Sequence, residues 1–343
     1  MKVDYLIIGQ GLAGTMMAYH LMAAGKSVCV VDNGLPSASS VAAGLFNPVT
    51  GRRFVKSWMI EKLLPYADVI YPKLENKLSE KLYYKKSIIR MLAGHEEKAV
   101  YDRSLTDENR VYIKEFHGSD SDNAYASCEI LEGGYVDTSL LISSFRKVLQ
   151  EQNSFKLDDI EYEDLTINED GITWKNVEAR GVIFCEGYKA IVNTFFPGLP
   201  FNLAKGEILT LKIPGLNVDK ILMSGAYLVP QGEDIYKLGS TYIWDDLTPV
   251  ITDKGKEELV AKLKGITNLP FEILNQEAGI RPTIKNRRPI VGQHAKYSNL
   301  FILNGMGTKG VLLAPYFAKQ LSECILEGKP VDKEVDVQQY MKD

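Results

Sequence analysis

The chain has 343 residues, which at ~150 residues per domain fits two folded units. Its 45% hydrophobic and 24% charged residues are ordinary globular usage and exclude a disordered, collagen-like or coiled-coil chain. A net charge of -4 leaves no broad basic field, which argues against nucleic acid or an anionic membrane surface as the main partner.

The apolar stretch from Val3 to Val31 follows Lys2 and has the look of a signal peptide, but Asp4 interrupts it and Gly9, Gly11, Gly14 and Gly25 punctuate it. No uninterrupted apolar run of ~18 residues occurs, so no membrane span is expected. The better reading is strand, turn, helix, strand. Val3 to Ile8 is a buried strand. Gly9-Gln10-Gly11-Leu12-Ala13-Gly14 is a G-x-G-x-x-G. Thr15 to Ala24 is a helix stopped by Gly25-Lys26, and Ser27 to Val31 is a second strand with Asp32 at its end. In that context the glycines form a dinucleotide-binding fingerprint. Gly9 allows the tight turn, Gly11 lets backbone approach a pyrophosphate, and Gly14 lets the helix pack on the strand. The helix start at Leu12 and Ala13 offers free N–H groups and partial positive charge. Asp32 suits adenosine ribose hydroxyls and would repel a 2′-phosphate.

After Asp32 a nicotinamide enzyme would continue with further βα units. This chain runs instead from Asn33 to Pro48 through small residues that let backbone lie flat against a large planar ligand. The Ser-x-x-Ala-Ala-Gly run from Ser39 to Gly44 resembles the segment that lines flavin in the D-amino-acid oxidase superfamily, especially in glycine oxidase. The resemblance implies FAD, with Asn33, Ser39, Ser40, Ala43, Gly44 and Leu45 against it.

Arg52 and Arg53 read as an anion-binding pair or as an exposed basic turn. Val55 to Lys77 has a helical pattern, and Leu82 to Leu92 is strand-like. Gly133 to Thr138 precedes a helix from Ser139 to Gln150, with Leu140, Leu141, Phe145, Val148 and Leu149 on one face and Thr138 as cap. Gly181 to Gly187 is a buried strand ending in glycine. It resembles the superfamily's Ala-Ser/Thr-Gly strand end near the cofactor, with Cys185-Glu186 as an unusual filling. Cys185 itself reads as a small core residue rather than a redox thiol. Gly206 to Ile213, Tyr227 to Pro230 and Ile235 to Ile243 alternate as strands, and a helix from Thr252 to Leu263 is capped by Thr252 or Asp253.

Glu277-Ala278-Gly279-Ile280-Arg281-Pro282 resembles the Ala-Gly-Leu-Arg-Pro of glycine oxidase, whose arginine pairs with the substrate carboxylate. A guanidinium fork suits that task because it gives two parallel hydrogen bonds and stays charged. The apolar, turn-forming context of Arg281 points to a directed side chain, the alternative being a structural ion pair. Tyr227-Leu228-Val229-Pro230 and Gly239-Ser240-Thr241-Tyr242 resemble the strands flanking the same site. The resemblance makes Tyr227 a carboxylate-binding residue and places Tyr242 over the flavin ring; without it both are strand aromatics. Lys285 to Gly292 departs from glycine oxidase in lacking an Asp-Gly turn before its Pro-x-x-Gly.

Leu300 to Leu303 is a strand, followed by Asn304-Gly305-Met306-Gly307-Thr308-Lys309-Gly310 and a helix from Val311 to Leu326. This is a second G-x-G-x-x-G, but only 33 residues follow Gly310 and no strand ending in an acid is among them. A second nucleotide site is therefore not indicated. The segment, with Ala314-Pro315 after it, resembles the superfamily's C-terminal flavin loop. That implies Gly305, Met306, Gly307, Thr308, Lys309, Gly310 and Val311 against the flavin, and a helix N-terminus aimed at its N1/C2=O edge. Lys309 adds positive charge there or is a solvated lysine. Pro330 to Asp343 reads as a polar surface segment.

The expected fold is α/β. A discontinuous Rossmann-like FAD-binding domain takes 1–50, 133–200 and 281–343. An α+β substrate domain with an antiparallel sheet takes 51–132 and 201–280. The resemblance implies an FAD-dependent amine or amino-acid oxidase or dehydrogenase. Arg281 and Tyr227, with Tyr242, would position a small substrate for hydride transfer to flavin N5, and water would hydrolyse the imine. Oxygen or another acceptor would reoxidise the flavin. The FAD is expected to be non-covalent, because no cysteine sits where monomeric sarcosine oxidases attach theirs. Cys29, Cys128, Cys185 and Cys324 are scattered, and there are four His, so neither a disulfide framework nor a metal centre is indicated; a cytoplasmic enzyme fits. Ala43 to Phe54, Gly239 to Tyr242 and the C-terminal loop also resemble the oxidase half of the bifunctional tRNA wobble-uridine enzyme, which acts on a carboxymethylaminomethyl group. The net negative charge counts against direct tRNA binding. A non-catalytic flavin-binding protein and an NAD(P)H-linked reductase are further alternatives.

Overall fold

The computed structural model describes residues 1–92, 94–115, 126–168 and 171–341. Two large sheets organise them. The first runs in the spatial order Phe155–Leu157, Val28–Asp32, Lys2–Ile8, Val177–Phe184, Gly171–Trp174 and Leu165–Asn168. Its first four strands are parallel, and Leu300–Asn304 joins Val177–Phe184 in parallel, carrying Ile290–Gln293 antiparallel on its other side. Ile7, Val30 and Ile183 pack into one core and Leu6, Val31 and Phe184 into another, so these strands are buried on both faces. That is why they read as continuous apolar runs rather than alternating ones. Lys2–Ile8, Val28–Asp32, Val177–Phe184 and Leu300–Asn304 all deliver their C-terminal ends to one edge, where open α/β sheets place ligands.

The second sheet runs Glu272–Arg281, Ala204–Lys212, Ile235–Gly239, Ala226–Gly232, Ile221–Ser224, Ile88–Leu92, Ala126–Ile130 and Ile113–Glu115. Its pairs are antiparallel except Ile221–Ser224 against Ile88–Leu92. A third core joins the halves of the molecule: Val41, Ala43 and Phe54 pack with Ile88, Ile208 and Val229 of this sheet.

Several elements differ from the sequence reading. The helix expected from Val55 begins at Ile60, because Val55–Lys56 pairs with Val49–Thr50 as a short hairpin. Leu82 to Leu92 divides into Tyr83–Lys85 and Ile88–Leu92, which join different sheets. The turn expected around Arg281 is the end of a ten-residue strand. Asp137, not Thr138, caps the helix Thr138–Glu151 by accepting the Leu140 N–H at 2.9 Å, while the Thr138 hydroxyl donates to the Ala42 carbonyl. Thr252 does cap Asp253–Leu263. The C-terminal segment is not a surface strap. Val331, Val335 and Val337 are buried, and the Val291 N–H donates to the Val335 carbonyl at 2.9 Å. Three valines spaced among charged residues suffice to dock it.

Two helices bear on the site. Leu12–Ala23 packs along Gly310–Glu327, and Ile60–Leu78 packs on the latter. Pro315 lies inside Gly310–Glu327 and has no N–H to offer the Val311 carbonyl one turn back. The buried Tyr71 hydroxyl, from Ile60–Leu78, donates to that carbonyl at 2.6 Å. Among the described residues, no helix is long and apolar enough to cross a membrane.

Candidate active site

A cavity of about 850 Å³ runs from the C-terminal edge of the parallel strands to the face of the second sheet. That volume lies in the upper part of the range for small-molecule and cofactor sites. Gly9, Gly11, Leu12, Ala13, Asp32 and Asn33 line one end. Gly9 has φ +93°, and a Cβ there would stand 2.6 Å from the Cys185 carbonyl oxygen. Gly14 does not line the cavity; a Cβ on it would lie 1.9 Å from the Gly9 carbonyl oxygen, so its absence sets how closely helix meets strand. The first-turn N–H groups of Leu12–Ala23 lack intrahelical acceptors, and that of Leu12 is taken by Ser39 Oγ at 3.1 Å.

Asp32 is held by three donors. Gln10 N–H reaches Oδ2 at 2.8 Å, and Gly34 N–H and Arg146 Nη2 reach Oδ1 at 2.9 and 3.0 Å. Arg146 Nε donates to Gln10 Oε1, and Gln10 Nε2 donates to the Ile142 carbonyl. Gln10 and Arg146 were missed in the sequence. Gln10 occupies a free position of the motif, and Arg146 is one more charge on an amphipathic helix; only the fold brings them to Asp32.

Ser39, Ala43, Gly44 and Leu45 line the middle of the cavity, as do Cys185 and Gly187. Ser40 does not: its hydroxyl accepts the Ser37 N–H in the capping box of Ala38–Val41. Cys185 is buried, and burial pushes its thiol far up, away from the thiolate form. Glu186, also unassigned from sequence, lines the wall and accepts from the Tyr162 hydroxyl and Asn193 Nδ2, each at 2.7 Å; burial raises its carboxyl. Met306, Gly307, Thr308, Lys309, Gly310 and Val311 line the facing wall, with Gly305 just behind, its N–H donating to Asn304 Oδ1. Asn304 Nδ2 donates to the Gly187 carbonyl at 3.0 Å and ties the two walls together. Lys309 Nζ donates to Ser57 Oγ at 3.2 Å, and Ser57 donates to the Asn47 carbonyl. Burial lowers the Lys309 ammonium, helped by repulsion from Arg288 and Arg287.

At the far end stand Arg281, Tyr227 and Tyr242. Arg281 Nη2 donates to Ser240 Oγ at 2.7 Å and to the Thr241 carbonyl at 3.2 Å, and Nη1 donates to the Lys205 carbonyl at 3.2 Å. Its guanidinium carbon lies 4.2 Å from the Tyr242 ring centre. Five N–H groups less these three contacts leave donors for a ligand. Tyr227 stands near Ser240 and Arg281, and burial raises its hydroxyl above the usual phenol range. Gly206, diagonally across on Ala204–Lys212, makes the room: a Cβ there would meet Arg281 Nη2 at 1.9 Å. Arg52 and Arg53 are exposed at the tip of the Val49–Lys56 hairpin, beside the cavity residues Thr50 and Gly51. Ser240 and Gly206 carried no signal of their own, because their roles depend on strand register.

The residues present suit a dinucleotide with a flat ring system. A glycine turn and helix start sit at one end with an acid beside them, and small residues face a second helix start further along. The family model for FAD dependent oxidoreductases (DAO) matches residues 4–324. The chain belongs to that family. This oxidoreductase is 24% identical over 371 residues to glycine oxidase from Bacillus licheniformis, covering 97% of this chain and 95% of that one. It is also 24% identical to the tRNA 5-methylaminomethyl-2-thiouridine biosynthesis bifunctional protein MnmC of Leptospira interrogans, covering 98% of this chain but only 59% of that one. Its fold superposes on the crystal structure of glycine oxidase from Geobacillus kaustophilus with a TM-score of 0.85 at 19% identity, covering 99% and 100% of the two chains. The oxidoreductase is an FAD-dependent enzyme, and the α/β fold expected from its sequence is the fold observed.

Proposed function

We propose that this oxidoreductase oxidises the C–N bond of a small amine or amino acid bearing a carboxylate. The observation that carries this reading is Arg281, held by three acceptors beside Tyr227 with N–H groups still to give. FAD, when bound, supplies the hydride acceptor. The chain's part is positioning. Arg281 clamps the carboxylate, the Tyr227 hydroxyl adds a donor, and the Tyr242 ring limits where the Arg281 fork can swing. Ile208 and Met223 give the same end apolar walls. Such walls disfavour an ammonium and favour the neutral amine, whose lone pair expels the hydride. No side chain is assigned as general base. Asp32 would take the ribose hydroxyls, and the loop from Met306 to Val311 would face the flavin. With no cysteine where monomeric sarcosine oxidases attach theirs, the FAD would be non-covalent, and the enzyme would work in the cytoplasm.

The test is anaerobic addition of glycine, sarcosine, proline and D-amino acids to the flavoprotein while the visible spectrum is recorded. Bleaching by one of them supports amine oxidation and names the substrate class. An unchanged flavin spectrum across the series overturns the small-substrate reading and favours a larger substrate, such as the modified nucleoside named for the MnmC relative.

A further inference from the structure

One row of the second sheet continues past the proposed carboxylate clamp. Strand register aligns Ile208, Gly239, Tyr227, Met223 and Arg90 across five neighbouring strands. Ile208, Tyr227 and Met223 line the cavity. Arg90 is the next residue of that row, two strands beyond Tyr227, or about 10 Å at ordinary strand spacing. Its Nη1 donates to the carbonyl of Gly51, itself a cavity residue, at 2.6 Å. Its guanidinium carbon lies over Phe54, 4.2 Å from the ring centre. Among the described residues no carboxylate forms an ion pair with it; burial weighs most on its charge, Glu97 attracts it at longer range, and Arg52 repels it by less. A half-buried arginine beside the cavity residue Gly51, with donors to spare and no ion-pair partner among the described residues, can take a ligand anion.

We propose that Arg90, with Arg52 beside it, forms a second anion subsite, so that the preferred substrate carries a carboxylate or phosphate at the end remote from the one Arg281 holds. This rests on the reading of Arg281 as the carboxylate clamp. The two arginines then measure the substrate. The near anion fixes the reacting carbon, and the far anion selects chain length. Arg90 suits the distal role because Phe54 and the Gly51 carbonyl hold its guanidinium while, among the described residues, its other N–H groups have no acceptor.

The test uses the FAD-loaded protein and needs no turnover. Succinate, adipate, suberate and sebacate are titrated against monocarboxylates of equal length, with binding read from the perturbed flavin spectrum and from calorimetry. One dicarboxylate length should bind about five- to tenfold more tightly than its monocarboxylate partner. An ω-phosphono acid of matched length separates a phosphate preference from a carboxylate one. In Arg90→Met the preference should fall to near one, in Arg90→Lys it should persist in part, and in Arg52→Ser it should shrink. Monocarboxylates that bind the wild type with no gain for any dicarboxylate or phosphono acid overturn the subsite. Failure of every carboxylate to bind, including the shortest, overturns the Arg281 reading instead, and the subsite with it.

Discussion

Gly206 and Arg281 lie diagonally across two paired strands, Gly206 opposite Gly279 and Arg281 opposite Ala204, and the missing side chain of the first is the space filled by the guanidinium of the second. A methyl group at 206 would stand 1.9 Å from Nη2, so Gly206→Ala must displace the arginine. The expected outcome is FAD content like that of the wild type, with the Kd for a carboxylate ligand raised about tenfold or more. Equilibrium titration of the flavin spectrum measures it. Unchanged affinity would mean that Arg281 does not meet the carboxylate.

Tyr71 supplies the hydrogen bond that Pro315 denies to Val311. Tyr71→Phe leaves that buried carbonyl without a donor, which should cost about 1–3 kcal/mol of stability. Urea unfolding monitored by circular dichroism reads the loss. A destabilisation below a few tenths of a kcal/mol would show that the carbonyl finds another donor.

Lys309 stands on the loop proposed to face the flavin, tied to Ser57. Replacing it with methionine removes a positive charge from that edge. The reduced, anionic ring should then be less favoured, and the sulfite adduct, which mimics it, should bind about tenfold more weakly. An equal sulfite affinity in both proteins would place Lys309 away from the ring.

His20 is packed against Tyr66, with burial pulling its pKa down from 6.5 to about 4 despite the nearby Glu323. The unfolded chain takes up a proton on this ring below pH 6.5, and the folded protein does so only near pH 4. Stability from this group is therefore whole above pH 6.5 and is lost as the pH falls toward 4, by at most about 3 kcal/mol. Denaturation midpoints at pH 7 and pH 4.5 should differ less in His20→Gln than in the wild type. An identical acid loss in both would assign it to other groups.

Much of the nucleotide half was legible because its signals are local. Gly9, Gly11 and Gly14 with Asp32 state a turn, a close approach and an acid within one βαβ unit, and Ser39 to Gly44 follows directly. Arg281 was singled out by its short motif, although its strand was read as a turn, because Glu272 to Asn275 lie exposed at a sheet edge and show no strand-like alternation. What stayed hidden depends on distant pairing. Gly206 meets Arg281 only through register, Arg146 meets Asp32 only through helix docking, and Arg90 joins the Tyr227 row only because two remote strands pair in parallel. The C-terminal segment was misread because Val331, Val335 and Val337 are outnumbered by the charges around them.

The most direct test of the central claim compares a carboxylate amine with its neutral amide, sarcosine against sarcosinamide, in anaerobic reduction of the bound FAD by the wild type and by Arg281→Met. The account predicts that the wild type is reduced far more efficiently by the carboxylate, by about a hundredfold, and that the variant nearly loses this preference. Equal discrimination in both proteins, or none in the wild type where both compounds reduce the flavin, would contradict the assignment of Arg281 as the group that holds the substrate.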